Sequence, residues 1–406
     1  MKVLVIGSGG REHALAWKLS QSRLLTELHA APGNPGIAAL GECHPVRAED
    51  AEGLLDLAHS LSVDLVVVGP EVPLVAGVGD ELRHAGVGVF GPGRDAARIE
   101  GSKSFAKEVM AAAGVPTAET MSVARPPCVL KVDGLAAGKG VFVCPEQESL
   151  DAALAEVARL DQPVVIEELL EGEELSLFAL ADGRNAVALA PARDYKRVGD
   201  DDTGPNTGGM GSYSPVPGFG PAEVEELVDT IHRPVLAELD RRGSPFVGLL
   251  YAGLMLTESG PKVLEFNCRF GDPETQAILP RLRGDLLEAL AAAAEGDLLS
   301  IDPEVDDQAA VTVVLAAWDY PAGGDSGTPI EGVEAAEAGG ALVFHAGTAR
   351  HEERLVTNGG RILDVTALAA TLDEAREQAY AGCAEISFDG IRFRHDIAAR
   401  EVNVAG

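Results

Sequence analysis

Between Val129 and Val143 the chain reads VLKVDGLAAGKGVFV, two short apolar runs around a glycine-rich turn. The runs predict strands and the glycines a loop, so the stretch has to fold back on itself as a hairpin. Gly134, Gly138 and Gly140 let the backbone bring its N–H groups close to a ligand, while Lys131 and Lys139 add two ammonium groups. That combination suits phosphate. It is not a Walker A loop, which needs four residues between its glycines, Ser or Thr after the lysine, and a helix next. Here the spacer is Leu135-Ala136-Ala137, Gly140 follows Lys139, and Val141-Phe142-Val143 reads as another strand. A strand hairpin closing over phosphates is therefore expected, with an ordinary glycine turn as the bland alternative.

An anion bound there is held against the overall charge. Lys and Arg total 32 against 64 Asp and Glu, a net charge of −32. Such an excess repels nucleic acid and anionic membrane surfaces, so neither is expected as a partner, and anionic substrates must be held by local cations and backbone amides. Cys43, Cys128, Cys144, Cys268 and Cys383 are odd in number and scattered, without C-x-x-C spacing, and read as the reduced thiols of a cytoplasmic protein. The nine histidines show no paired spacing, so no zinc site is expected. Met1-Lys2 leads straight into the apolar run at 3–6, too short for a signal sequence, and no run approaches membrane-spanning length. The length of 406 residues allows roughly two to four domains.

Residues 1–93 alternate apolar runs at 3–6, 65–69 and 87–90 with helical patterns over 12–19 and 80–85. The alternation predicts an α/β fold with a parallel sheet and crossover helices. Gly7-Ser8-Gly9-Gly10-Arg11-Glu12 ends the first strand and tempts a dinucleotide reading. Against it, Glu12 stands where a third glycine belongs, and no acid ends a second strand near 28–32. The same turn suits a sugar phosphate at the carboxyl edge of the sheet, and Gly69-Pro70-Glu71 faces that crevice. Ser102 is the expected N-cap of a helix to Ala113, with Lys103 in its first turn, where a cation opposes the helix dipole and wants an anionic partner.

Beyond the glycine loop, a helix over 150–160 and a buried strand at 164–166 are expected, followed by an exposed edge at Glu167-Glu168-Leu169-Leu170. The main chain of such an edge can pair with a purine, and Glu171-Gly172-Glu173-Glu174 brings a carboxylate within reach of a ribose. Asp182-Gly183 predicts a hairpin turn. The segment 194–211, DYKRVGDDDTGPNTGGMG, lacks periodicity; a loop of that length is usually functional or disordered, and Lys196 and Arg197 favour function. Along 262–270 a strand places Val263, Glu265, Asn267 and Arg269 on one face and Leu264, Phe266, Cys268 and Phe270 on a core face. Glu265 and Asn267 offer hard oxygen ligands for magnesium shared with substrate phosphates, and Arg269 a bidentate clamp. A final unit begins near 320, with strands at 341–345 and 361–365, a turn at Asn358-Gly359, and a helix capped by Thr371 with Glu374 three residues on.

Taken in order, these features resemble the ATP-grasp ligases. GSGGREHA at 7–14, VGPEVPL at 68–74, KVDGLAAGKGV at 131–141, YKRVGDDDTGPNTGGMG at 195–211 and EFNCRFGDPETQ at 265–276 are similar to the phosphoribosylamine–glycine ligase family in particular. The resemblance implies a Rossmann-like α/β domain over 1–100, an ATP-grasp main part over 101–118 and 191–320, its smaller lid over 119–190, and a small α/β domain over 321–406. It implies ATP, glycine and 5-phosphoribosylamine as substrates, Mg2+ or Mn2+ at Glu265 and Asn267, and a monomer. Arg269 and Lys139 become the catalytic cations. ATP is assigned to Lys103, Lys131, Gly134, Gly138, Lys139, Gly140, Glu167, Glu168, Leu169 and Glu174. The other substrates fall to Gly9, Gly10, Arg11, Glu12, Gly69, Pro70, Glu71, Asp194, Lys196, Arg197, Asn206, Gly208 and Gly209. Three rivals stand beside this reading. A different ATP-grasp ligase or a carboxylase of a purine intermediate would share the ATP site, a nicotinamide oxidoreductase would bind through residues 7–12, and a nucleotide sensor would bind without turnover.

Overall fold

Four consecutive apolar residues, Val3 to Ile6, leave no polar face for water, so the strand they form has to be covered on both sides. In the computed structural model, which describes residues 1–135 and 140–399, they lie in Lys2–Gly7 and all four are buried. This strand is the middle of a parallel sheet ordered Glu42–Cys43, Glu27–Pro32, Lys2–Gly7, Leu65–Val68, Gly88–Phe90. The chain winds outward from it in both directions, and the helix Gly10–Leu19 starts at the crevice where the winding reverses.

Ser102 caps the helix Lys103–Ala113, its Oγ accepting from the Phe105 N–H at 3.2 Å, and Gly114 ends it in the left-handed region at φ +70°. That helix and Arg233–Arg241 bury Phe105, Val109, Leu236 and Leu239 in one core with an antiparallel sheet. The sheet is ordered Ala186–Ala188, Glu173–Asp182, Val247–Thr257, Gly260–Asn267.

The glycine-rich stretch forms the expected hairpin. Cys128–Val132 pairs antiparallel with Val141–Cys144, and Val164–Glu168 flanks the first strand on its other side. Gly138 and Lys139 lie outside the described residues. The helix Gln147–Leu160 packs Leu150 and Ala153 on Cys128, Leu130 and Cys144, a small core covering one sheet face. One-sided cover leaves residues 164–166 half-buried, where the sequence predicted a buried strand. Nor is the edge at 167–170 fully open. Residues 119–121 run along it, with Met121 N donating to Ile166 O at 2.8 Å and Glu168 N to Glu119 O at 3.0 Å.

A fourth sheet is built on Ala309–Ala317, nine buried residues in a row. Gly211–Ser214 pairs with it on one side and Arg361–Ala369 on the other, both antiparallel; Arg193–Asp194, Leu342–His345 and Ile391–Arg392 complete six strands. The sheet thus joins chain from both sides of residue 320. The helix Leu372–Glu385 lies across it, and Thr371 Oγ1 accepts from Glu374 N at 3.2 Å. Asn358 and Gly359 form no turn. They sit in the strand Arg354–Gly359 opposite Ser326 and Asp325, because the chain passes into the other sheet at Gly360 instead of folding back. The tight turn lies upstream at Glu352-Glu353, with Glu352 at φ +55°.

The segment 194–211 has more order than its sequence suggested. Arg197–Gly199 pairs with Thr203–Asn206, and the turn runs through Asp201 and Asp202, each at φ +54°. Arg394, wholly buried, donates to Asp202 Oδ1 at 2.9 Å and Arg197 O at 3.1 Å, and stacks 4.8 Å above the Tyr195 ring. No helix among the described residues is long and apolar enough to cross a membrane.

Candidate active site

The strand Gly260–Asn267 departs from simple alternation at one residue. Leu254 faces Val263 and Gly253 faces Glu265, so Leu264 is an extra residue, a bulge. The bulge reverses the parity ahead of it. Val263 is buried in the core with Phe266 and Cys268, while Leu264 turns toward the face of Glu265 and Asn267. The expected grouping of Val263 with Glu265, and of Leu264 with the core, is corrected accordingly. Glu265, Asn267 and Arg269 line a cleft of about 1740 Å³, whose wall also takes residues from the hairpin sheet, the six-stranded sheet and the segments Arg11 and Pro70-Glu71 that follow strands of the parallel sheet.

One wall comes from the hairpin sheet and the capped helix. Glu167, 2% exposed, lies between two ammonium groups, Lys107 Nζ at 2.8 Å and Lys131 Nζ at 2.7 Å. Its carboxylate is buried, against the exposed edge expected. Lys131 Nζ also donates to Leu264 O at 2.7 Å, which ties the hairpin to the bulge. Lys103 Nζ donates to Gly134 O at 2.7 Å, fastening the first helical turn to the start of the glycine loop. Glu168 accepts from Lys262 Nζ at 2.8 Å. Lys107 was missed from sequence, although it stands four residues after Lys103 and hence on the same helix face.

On the antiparallel sheet, Glu174 Oε2 is 2.6 Å from Lys196 Nζ. Burial would lower the Lys196 pKa, but Asp194 and Glu174 outweigh it and keep the ammonium charged. Burial pushes Asp194 above the usual carboxylate range, against the pull of Lys196. Glu265 goes the other way: burial would raise it, and Lys196, Lys131, Lys103 and Arg269 together hold it below its ordinary value. An ionised carboxylate with the Asn267 amide on the same face, ringed by cations, fits a hard divalent ion carried in with phosphates.

The far end is a second charged cluster, at the crevice of the parallel sheet. Arg269 Nε faces Glu71 Oε2 at 3.2 Å and its Nη2 faces Glu100 Oε1 at 3.3 Å. Burial raises the Glu100 pKa, opposed by Arg269. Arg361 bonds Asp272 Oδ2 and Gly208 O, each at 2.8 Å, and Gly208 N donates to the Tyr320 hydroxyl at 2.8 Å. Arg11 and Pro70 also line this end, whereas Glu12 turns inward, its Oε2 accepting from Gly9 N at 2.6 Å. Glu12 occupies the space a side chain at Gly69 would need, 2.1 Å from an ideal Cβ, and Asp364 does the same at Gly10, at 1.8 Å.

Of the residues expected at the site, Arg11, Pro70, Glu71, Lys103, Lys131, Gly140, Glu167, Glu168, Leu169, Glu174, Asp194, Lys196, Arg197, Asn206, Gly208, Glu265, Asn267 and Arg269 line this one cleft. Gly9, Gly10, Glu12, Gly69, Gly134 and Gly209 are not in its wall; Glu12 and the glycines beside it brace the crevice from behind. Sequence reasoning also missed Glu100, Asp272, Glu274, Tyr320 and Arg361.

A strand hairpin and an antiparallel sheet closing from opposite sides on a cleft lined with cations and acids define an ATP-grasp protein. Family models described as phosphoribosylglycinamide synthetase match over nearly the whole chain: the N domain over residues 1–100, the ATP-grasp (A) domain over 101–275 and the C domain over 310–400. The chain belongs to this family. It is 51% identical over 416 residues to the phosphoribosylamine–glycine ligase of Streptomyces coelicolor, covering 98% of this chain and 99% of that one. To the enzyme of the same name from Agrobacterium fabrum it is 48% identical over 415 residues, covering 98% of each. The crystal structure of the phosphoribosylamine–glycine ligase of Thermotoga maritima superposes with a TM-score of 0.85 at 35% identity, over 98% of this chain and all of that one. A biotin carboxylase domain from Hydrogenobacter thermophilus, at 16% identity and a TM-score of 0.71, shares the fold.

Proposed function

We propose that the chain carries out the reaction of its family, joining glycine to 5-phosphoribosylamine with conversion of ATP to ADP and phosphate. The observation that carries this reading is the convergence of Lys103, Lys131, Lys196 and Arg269 on the Glu265/Asn267 pair in a single cleft. Phosphoryl transfer to a carboxylate asks for little else, since positioning and neutralisation of charge lower its barrier. Lys131, with Lys139 from outside the described residues, holds the ATP phosphates. Glu174 takes the ribose hydroxyls, and the main chain at Leu169 takes the purine, because the Glu168 N–H is committed to Glu119 O. Glu265 and Asn267 hold Mg2+ or Mn2+, which neutralises phosphate charge when bound.

The glycine carboxylate oxygen attacks the γ-phosphorus as ADP leaves, giving glycyl phosphate. The amine of phosphoribosylamine then attacks the acyl carbon, and phosphate leaves. Arg269 steadies the acyl phosphate, while Arg11 and Glu71, at the sheet crevice, hold the sugar phosphate's ring and its anion between them. Incubation with ATP, magnesium, phosphoribosylamine and glycine bearing heavy oxygen in its carboxyl group tests the reading. One label should reach inorganic phosphate per turnover and the other should stay in the amide. Label-free phosphate would overturn it, since a carboxylase draws that oxygen from bicarbonate and an ATPase from water.

A further inference from the structure

The histidines show no metal-binding spacing along the chain, but among the described residues the fold assembles one group outside the cleft. Parallel pairing sets His29, in the strand Glu27–Pro32, opposite Glu42 in the two-residue edge strand Glu42–Cys43. Residues two apart on extended chain share a face, so His44 joins Glu42 beside His29 while Cys43 points away, its Sγ 3.9 Å from Asn34 O. His29 Nδ1 is 3.1 Å from His44 Nε2 and 3.9 Å from Glu42 Oε2. One nitrogen or oxygen from each of the three side chains lies within 4.8 Å of the others. Bonds of about 2.0–2.1 Å in tetrahedral array place ligand atoms about 3.3 Å apart, so these groups already stand near the spacing of ligands around one ion.

A second observation comes from the other side of the ring. His29 is 5% exposed, and its buried Nε2 makes no hydrogen bond; it faces Glu27 Oε2 at 3.4 Å. Glu27 is itself held by Lys2 Nζ at 3.0 Å. That carboxylate is the nearest acceptor for a proton on the outer nitrogen; a slight turn of the ring closes the bond and leaves the lone pair of Nδ1 facing the cluster, the arrangement that orients and strengthens a metal-bound imidazole.

We propose that His29, Glu42 and His44 form a site for a divalent transition ion. Two imidazoles and one carboxylate suit zinc, with solvent completing the shell on the open side where Glu42 is exposed. None of the three lines the nucleotide cleft, so the ion is not part of the ligase chemistry. It ties the short edge strand and the chain leaving it to the sheet.

The test is calorimetric titration of the chelator-stripped full-length protein with zinc chloride under saturating magnesium, with cobalt(II) absorption as a second readout. One zinc per chain and a tetrahedral cobalt spectrum are expected. His44→Gln, at a half-buried position, should weaken zinc at least tenfold, and Glu27→Gln, which touches no ion, by about 10- to 100-fold. His29→Gln should abolish the cobalt bands, and circular dichroism checks that each variant is folded. Zinc affinity that is weaker than about 10 µM, or that His44→Gln leaves unchanged, would overturn the proposal and make the 3.1 Å contact an ordinary histidine pair.

Discussion

Glu167 shows how tightly charge is balanced in this cleft. Lys107 and Lys131 share its carboxylate, and all three side chains are at most 14% exposed. In Glu167→Gln two ammonium groups face each other with no anion between them, and unbalancing a buried ion group costs about 3–5 kcal/mol. Thermal unfolding should show that loss without nucleotide and a larger stabilisation by ATP than in the parent, as the freed lysines find phosphate. Arg269→Lys should cut turnover more than ATP affinity, because an ammonium cannot span Glu71 and Glu100 as the guanidinium does; kcat and KM measured separately will tell. Glu265→Gln should raise the magnesium concentration needed for turnover with little change in melting temperature, and equal magnesium dependence would remove Glu265 from the metal site. Glu265, Asn267 and Arg269 were legible from sequence because polar side chains recurring on a strand want a partner. Arg361 and Asp272 were not. Their pairing crosses 89 residues and exists only once the sheets are assembled.

At the scale of an element, the bulge at Leu264 decides which side chains are structural. Val263→Ala and Phe266→Ala both open the core, and Phe266→Ala should cost about 3–5 kcal/mol in denaturant unfolding. Leu264→Ala, though chemically like the Val263 change, should act mainly on the KM for ATP. If Leu264→Ala proved the more destabilising of the two, the register would be wrong by one. An extra residue leaves no mark in sequence, since period 2 reads the same until the partner strand is known. The hairpin at 128–144 was legible because the glycines and apolar runs are local, and the Ser102 cap for the same reason. Burial at 164–168 was misjudged, because it depends on cover from one side only, on residues 119–121 along the edge and on Lys107 beside Glu167, none of which a local pattern places there.

For the molecule as a whole, two buried histidines outside the cleft's wall set an acid limit. Burial takes His232, fully enclosed, down from 6.5 to about 4, and His13 down to about 3. Both stay neutral in the folded chain while the unfolded chain takes up protons. Stability from this source is present above about pH 6.5 and is lost as pH falls through 4, by about 3 kcal/mol for His232. Melting temperature should drop over that window, and His232→Gln should flatten the slope while lowering stability at neutral pH. The parallel sheet of residues 1–90 was readable from alternation, but the six-stranded sheet was not, for its central strand recruits Gly211–Ser214 from nearly a hundred residues upstream. That strand has a practical meaning for anyone dividing the gene. A break after residue 320 would strand Ala309–Ala317 with the wrong fragment, whereas a break just before 309 keeps that strand with Arg361–Ala369 and parts the sheet where Gly211–Ser214 pairs with it, along with side-chain ties such as Arg361–Asp272 and Arg394–Asp202. Each piece alone would expose a raw edge and tend to clump; expressed together, each edge is the other's template, and the two halves should knit into a working enzyme.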